Sequence, residues 1–153
     1  MEKILIIDDD NDLRDIIVST LKDQNFDCHS TGSAKEALEM CKDLTFDCIL
    51  TDVHMPNLSG VDFLCQLSMF EYTPPVIFLS GDNDTKTIRA ALRLGAIDFL
   101  TKPFNTPELI DVVNRAAQIG MRKRNIFLSQ SPQVNKEEQI IKRLKSVKSN
   151  KEK

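Results

Sequence analysis

No run of apolar residues in this 153-residue chain comes near the roughly 18 that a membrane-spanning helix needs, so no such span is expected. The amino terminus lacks a basic segment leading into an apolar one, which argues against a secretory signal. Cys28, Cys41, Cys48 and Cys65 show no C-x-x-C spacing, and no histidine pair accompanies them. That excludes the usual zinc patterns and leaves reduced, mostly core cysteines of a cytoplasmic protein as the expectation. A nucleic-acid footprint is lacking as well. Residues 1–120 hold 10 Lys/Arg against 20 Asp/Glu, a net charge of −10, where a nucleic-acid-binding domain would carry a basic face. Basic charge collects instead in residues 121–153, with 10 Lys/Arg against 3 Asp/Glu, so the net −3 of the chain conceals an acidic body and a basic tail.

What is present is the material of one domain. A hydrophobic content of 41% supports a proper core, and 28% charged residues is ordinary for a soluble protein. Short apolar runs alternate with helical patterns along the chain. KILIID reads as a strand and is followed by DLRDIIVSTLKDQ, with Leu13, Ile16, Ile17 and Leu21 at helical spacing. FDCHS is a weaker strand. SAKEALEMCKDL opens with Ser33 and Glu36 in capping-box spacing. FDCILTD precedes GVDFLCQLSM, and PPVIFLS precedes DTKTIRAALRLG, which Gly95 terminates. AIDFLT precedes TPELIDVVNRAAQIG, with Pro107 near the helix start. Unbroken apolar strands in β–α repeats predict a parallel sheet buried on both faces, wound by right-handed crossovers into three layers.

In such sheets ligands bind at the carboxyl ends of the strands. Four predicted strand ends carry polar groups there: Asp8 with Asp9, Asp52, Ser80 with Gly81, and Lys102. The aspartate run in IIDDDND sharpens the point, because like charges about 4 Å apart repel by roughly 4 kcal/mol at an effective dielectric near 20. Gathered in a cleft, they require a cation, a proton or water. Singly, each group has an ordinary explanation: a capped helix, a loop start, a solvated lysine. Together they bring three carboxylates, a hydroxyl and an ammonium to one cleft, a hard-oxygen donor set that suits Mg2+ with room for phosphate oxygens.

IIDDD, LTDVHMPNLSG, IFLSG and FLTKPF, in that order and spacing, resemble the receiver domain of bacterial two-component response regulators, of the chemotaxis type, over residues 1–120. The resemblance implies a doubly wound, flavodoxin-like α/β fold with five strands in the order 2-1-3-4-5. It implies that Asp52 accepts a phosphoryl group from a histidine kinase or phosphotransfer protein. Asp9 would then bind Mg2+ directly, Asp8 mainly through water, and the His54 backbone carbonyl would be a further ligand. Ser80 would hydrogen-bond the phosphoryl oxygens and Lys102 would neutralise them. Phe99 stands where the family has a switch aromatic that turns inward on activation, and the Lys102–Pro103 peptide is expected to be cis. Asp10 receives no ligand role. Gly81 stands where the family commonly has alanine, and His54 and Asp82 occupy positions that flank the phosphoryl group.

Rival readings fit less well. Asp8, Asp10 and Asp12 match the start of an EF-hand loop, but Leu13 stands where glycine is needed and Ser19 where a bidentate glutamate is needed. A magnesium-dependent phosphohydrolase of the haloacid dehalogenase type also uses a strand-end aspartate. Here, however, Asp12 falls at the last position of its D-x-D-x-[TV] pattern, and the length leaves no room for a cap domain. A receiver-like module that binds without phosphorylation would not need Asp9, Asp52, Ser80 and Lys102 together. The chain is thus expected to be a phosphoacceptor with slow self-dephosphorylation rather than a turnover enzyme, passing its signal to a protein target or second receiver.

The 33 residues from 121 to 153 are fewer than the roughly 60 a DNA-binding output domain needs, so a stand-alone receiver with a basic extension is expected. Residues 120–135 read as a linker or helix extension. Asn135 and Glu138 then have capping-box spacing, and Ile140, Ile141, Leu144 and Val147 form one stripe, so the extension is either partly helical or disordered.

Overall fold

The computed structural model describes residues 1–81, 85–130, 140–141 and 143–145. Strands and helices alternate throughout: β1 (Lys3–Ile7), α1 (Asn11–Asp23), β2 (Asp27–Thr31), α2 (Ala34–Asp43), β3 (Cys48–Asp52), α3 (Gly60–Leu67), β4 (Val76–Ser80), α4 (Thr85–Arg93), β5 (Asp98–Thr101) and α5 (Thr106–Gln130). All strand pairs are parallel, in the order β2-β1-β3-β4-β5, the doubly wound flavodoxin-like arrangement. The order reverses between β1 and β3, which puts the open crevice at the carboxyl ends of those two strands. Among the described residues no helix is long and apolar enough to cross a membrane.

Successive strand residues point to opposite faces, and here both faces are covered. Ile4, Ile6, Leu50, Ile77 and Leu79 pack with Ile17 and Leu21 of α1 and with Val113 and Ala116 of α5. Leu5, Ile7, Ile49, Val76 and Phe78 pack with Leu38 of α2, Phe63 and Leu64 of α3, and Ala91 of α4. The edge strand β2 is only half-buried over Asp27–His29, which explains its weak apolar signature. Of the cysteines expected in the core, only Cys48 is fully buried; Cys28 and Cys41 are half-buried and Cys65 is exposed on α3. Burial pushes the Cys28 thiol up to about 11 and Cys41 up to about 12, so both stay protonated at neutral pH.

The capping box of α2 takes a relayed form. Ser33 Oγ accepts from the Glu36 N–H at 3.4 Å, but the Glu36 carboxylate does not return to Ser33. It accepts instead from the Thr31 hydroxyl at 3.0 Å, and Thr31 Oγ1 accepts the Ser33 N–H at 3.1 Å. The last residue of β2 is inserted in the box, tying strand end to helix start.

The last helix does not close at Gly120 but runs on to Gln130. Its continuation is fastened to the amino-terminal edge of the sheet. Asp47, fully buried before β3, accepts from the Lys3 N–H at 2.7 Å and from Arg124 Nη1 at 2.9 Å, both on Oδ2, while its Oδ1 has no hydrogen-bond partner. Lys123 Nζ donates to the Thr73 carbonyl at 2.9 Å, and the Tyr72 and Phe127 rings lie 5.4 Å apart. The Tyr72 hydroxyl reaches the carbonyls of Phe46 and Gly120 at 2.9 and 3.3 Å. Gly120 permits this approach, since a Cβ there would lie 1.6 Å from the Asp47 carbonyl oxygen. Beyond α5, Ile140, Ile141 and Leu144 are helical and exposed. Asn135, Glu138 and Val147, which complete the predicted cap and stripe, lie outside the described residues.

Two variants test this anchorage by urea unfolding. Arg124→Ala leaves a buried carboxylate without its cation and is expected to lower stability by about 3 kcal/mol. Gly120→Ala improves helix propensity but drives a methyl group into β3's approach, with an expected net loss of about 1–3 kcal/mol. Unaltered midpoints in both would show that the helix beyond residue 120 contributes no anchorage.

Candidate functional site

The site is built where β1, β3, β4 and β5 end together. β1 delivers Asp8 and Asp9, and the chain turns at once into α1, whose N-cap is Asp10: its carboxylate accepts from the N–H groups of Asp12 and Leu13 at 3.1 and 3.2 Å. The third aspartate of the run is therefore committed to the helix start. The other two are not. One carboxylate oxygen from each of Asp8, Asp9 and Asp52 lies within 4.8 Å of the others.

Asp8 is completely buried. Its Oδ1 accepts the Asp10 N–H at 2.9 Å and its Oδ2 accepts from Lys102 Nζ at 3.3 Å. Asp52 ends β3; its Oδ1 accepts the His54 N–H at 3.3 Å and its Oδ2 accepts from Lys102 Nζ at 3.1 Å. Asp9, by contrast, is exposed and has no hydrogen-bond partner among the described residues. Lys102 is brought in by the β4–β5 pair, its N–H donating to the Ser80 carbonyl at 2.7 Å, and the peptide that follows it, to Pro103, is cis. Ser80 is buried, and its hydroxyl oxygen has no hydrogen-bond partner among the described residues. Phe99, on β5, is 39% exposed. Gly81 and His54 are exposed beside the cluster, and Asp82 lies outside the described residues.

The electrostatics follow from this crowding. Burial is the largest influence on Asp8 and pushes its carboxyl above the usual range; the Asp10 N–H and Lys102 pull it back, and Asp52 adds to the rise. Burial also works against the Lys102 charge, but the charges and hydrogen bonds of Asp52 and Asp8 together outweigh it and hold the ammonium above its ordinary value. Three carboxylates face one ammonium, so anionic charge is left over. The donor set is all hard oxygen, and Asp9 is uncommitted, which fits a small divalent cation.

Two residues that carry no sequence signal support the cluster from behind. Thr31 accepts the Asp8 N–H on its carbonyl at 3.2 Å, and Arg14 Nη1 donates to the Asp8 carbonyl at 2.6 Å. Contacts of this kind, to backbone and across strands, leave no motif.

A five-stranded doubly wound parallel sheet with an acidic cluster and a lysine at the carboxyl ends of its strands defines a ligand-binding class of α/β proteins. Comparison with known proteins makes this specific: residues 4–114 match the family described as response regulator receiver domain. The chain belongs to that family, which serves two-component signal transduction. It is 32% identical over 126 residues to the regulatory protein AtoC of Escherichia coli K12, covering 82% of this chain and 27% of the relative. Among solved structures it resembles NtrX from Brucella abortus, with a TM-score of 0.75 and 30% identity over 82% of this chain and 29% of that one. It also resembles the chemotaxis response regulator CheY4 of Vibrio cholerae, with a TM-score of 0.70 and 28% identity over 76% of this chain and 98% of that one. The first four curated relatives are matched over only 27% to 54% of their own length.

The raised Asp8 carboxyl has a consequence for stability. A carboxylate whose folded-state pKa lies above its unfolded value of 3.8 destabilises the fold fully above the folded pKa. The penalty is relieved as pH falls through that pKa towards 3.8. Asp8→Asn in the absence of divalent cations is expected to raise Tm at pH 7, with the gain shrinking towards pH 4. A lower Tm at pH 7 would show that the lost bond to Lys102 outweighs the relieved charge.

Proposed function

We propose that this chain accepts a phosphoryl group on Asp52 from a histidine kinase or phosphotransfer protein in the cytoplasm. The modification then changes the face it offers to a downstream protein target or a second receiver. The observation that carries this reading is the placing of Lys102, which bonds Asp8 and Asp52 at once while Asp9 stays uncommitted beside them. Asp8, Asp9, Asp52 and the His54 backbone carbonyl are the groups that would hold Mg2+, Asp9 directly and Asp8 mainly through water. Bound there, Mg2+ would offset the negative charge on the transferring phosphoryl oxygens.

The chain's own residues divide the work. A carboxylate oxygen of Asp52 attacks phosphorus; an O–P bond forms as the donor's N–P bond breaks, and the imidazole leaves with the electron pair. Lys102 stabilises the charge on the moving group and remains as partner of the acyl phosphate. An apolar groove of about 500 Å³, lined by Leu13, Ile16, Pro103 and Phe104, opens beside Lys102, so a donor approaching Asp52 meets it. Ser80, its hydroxyl buried without a partner, supplies a donor for a phosphoryl oxygen. Movement of Ser80 towards the phosphoryl group opens the space into which the outward Phe99 turns, reshaping the surface of α4, β5 and α5. Phosphorylation adds about one further negative charge at Asp52, enough to bias a two-state element of this kind. The acyl phosphate is then lost slowly to water, without substrate turnover.

Incubation with acetyl phosphate and Mg2+, read on phosphate-affinity gels, tests the assignment. Wild type is expected to label stoichiometrically and Asp52→Asn not at all. Ser80→Ala should label yet lose the accompanying change in amide exchange around Phe99. Equal labelling of wild type and Asp52→Asn would sink the assignment, and continuous release of phosphate at enzymic rates would favour a hydrolase.

A further inference from the structure

Every polar group of Asp8 is engaged, and the engagement of its carbonyl is unusual. The N–H is held by β2 through the Thr31 carbonyl, and the two carboxylate oxygens are held by Asp10 N–H and Lys102. The carbonyl is held by a side chain, Arg14, from the first turn of α1. The same guanidinium donates through Nη2 to Asn11 Oδ1 at 2.8 Å, so its planar fork bridges from the helix back to the strand end. The path it takes runs past Gly32, just after β2. A Cβ at position 32 would stand 2.8 Å from Arg14 Nη1 and 3.6 Å from the Asp8 carbonyl oxygen. A side chain at 32 would oblige the guanidinium to shift from its present seat.

The Asp8 carbonyl lies in the rigid peptide plane that joins Asp8 to Asp9. Fixing that oxygen fixes the plane, and with it the direction in which Asp9 leaves the strand. Asp9 itself makes no hydrogen bond among the described residues, so its aim depends on the backbone that carries it. A charge-assisted bond to that carbonyl is stronger than a neutral one.

We propose that Arg14, seated against Gly32 and bonded to the Asp8 carbonyl, is a positioning residue that aims the Asp9 carboxylate at the cation site. The proposal rests on the magnesium reading given above. Arg14 touches neither the cation nor the phosphoryl group; it acts through the Asp8–Asp9 peptide.

The test combines calorimetric Mg2+ titration with amide hydrogen exchange on wild type, Arg14→Ala, Arg14→Lys, Gly32→Ala and the double variant Arg14→Ala/Gly32→Ala. Thermal melts check that each is folded. Arg14→Ala is expected to weaken Mg2+ binding about 10-fold, the low end of what partners that orient metal ligands contribute. Gly32→Ala should reproduce much of this loss while leaving every charge in place. The double variant should bind no worse than Arg14→Ala alone, because the added methyl group then has nothing to displace. Arg14→Lys should recover only part, since an ammonium cannot bridge both acceptors. The Asp10 amide, bonded to Asp8 Oδ1, should exchange faster in Arg14→Ala with or without metal. Undiminished Mg2+ affinity in Arg14→Ala, or fully additive losses in the double variant, would overturn the proposal. If wild type takes up no Mg2+, the magnesium reading fails instead; Arg14 is then judged on the Asp10 amide, and unaltered exchange there overturns its positioning role.

Discussion

The ammonium of Lys102 bonds two carboxylates that belong to different strands, Asp8 of the β1 end and Asp52 of β3, at 3.3 and 3.1 Å. Without it, the carboxyl ends of the central strands would set like charges against one another in a partly desolvated crevice, which repels by several kcal/mol at an effective dielectric near 20. With it, the cluster is held together but still short of cationic charge. That shortfall is what the proposed cation would make good. A fold that neutralised the cluster fully would leave nothing for a divalent cation or a phosphoryl group to do.

The opposite edge of the sheet shows the contrasting solution. Asp47 is as deeply buried as Asp8, but its partners Arg124 and the Lys3 N–H come from within the chain, at 2.9 and 2.7 Å. There the ion pair ties α5 beyond Gly120 to the start of β3. One end of the sheet holds a carboxylate paired through one oxygen within the chain, and the other holds a cluster in which carboxylates outnumber the ammonium. A buried charge with its partner built in serves architecture; a surplus of carboxylates serves exchange with solution.

How far this was legible beforehand depends on which contacts leave a pattern in the chain. ILII, CIL and VIFL announce buried parallel strands because both faces are covered, and the strand ends then follow by topology. Asp8, Asp9, Asp52 and Lys102 are therefore readable as neighbours even though up to 94 positions separate bonded partners. β2 was faint because an edge strand buries little. The run of α5 past Gly120 is readable only as one of two alternatives, a linker or a helix extension, because Arg122–Arg124 look like a basic cluster; Arg124 pairs with Asp47, itself unremarkable in sequence. Arg14 and Gly32 left no trace at all, since the bond that joins them to the site goes to a backbone carbonyl. The Thr31 relay in the α2 cap was hidden for the same reason: Ser33 and Glu36 show the spacing, but not the hydroxyl that comes between them.

The claim that β1, β3, β4 and β5 end in one shared cation and phosphoryl site is tested most directly by following backbone amides in solution during Mg2+ addition, before and after a beryllofluoride phosphate mimic. Shifts are expected first at residues 8–10 and 52–54, and with the mimic also at Ser80, Gly81 and Lys102, spreading along β5 to Phe99. Shifts confined to surface acids such as Asp12, Asp15 and Asp43, with the four strand ends unmoved, would contradict the account.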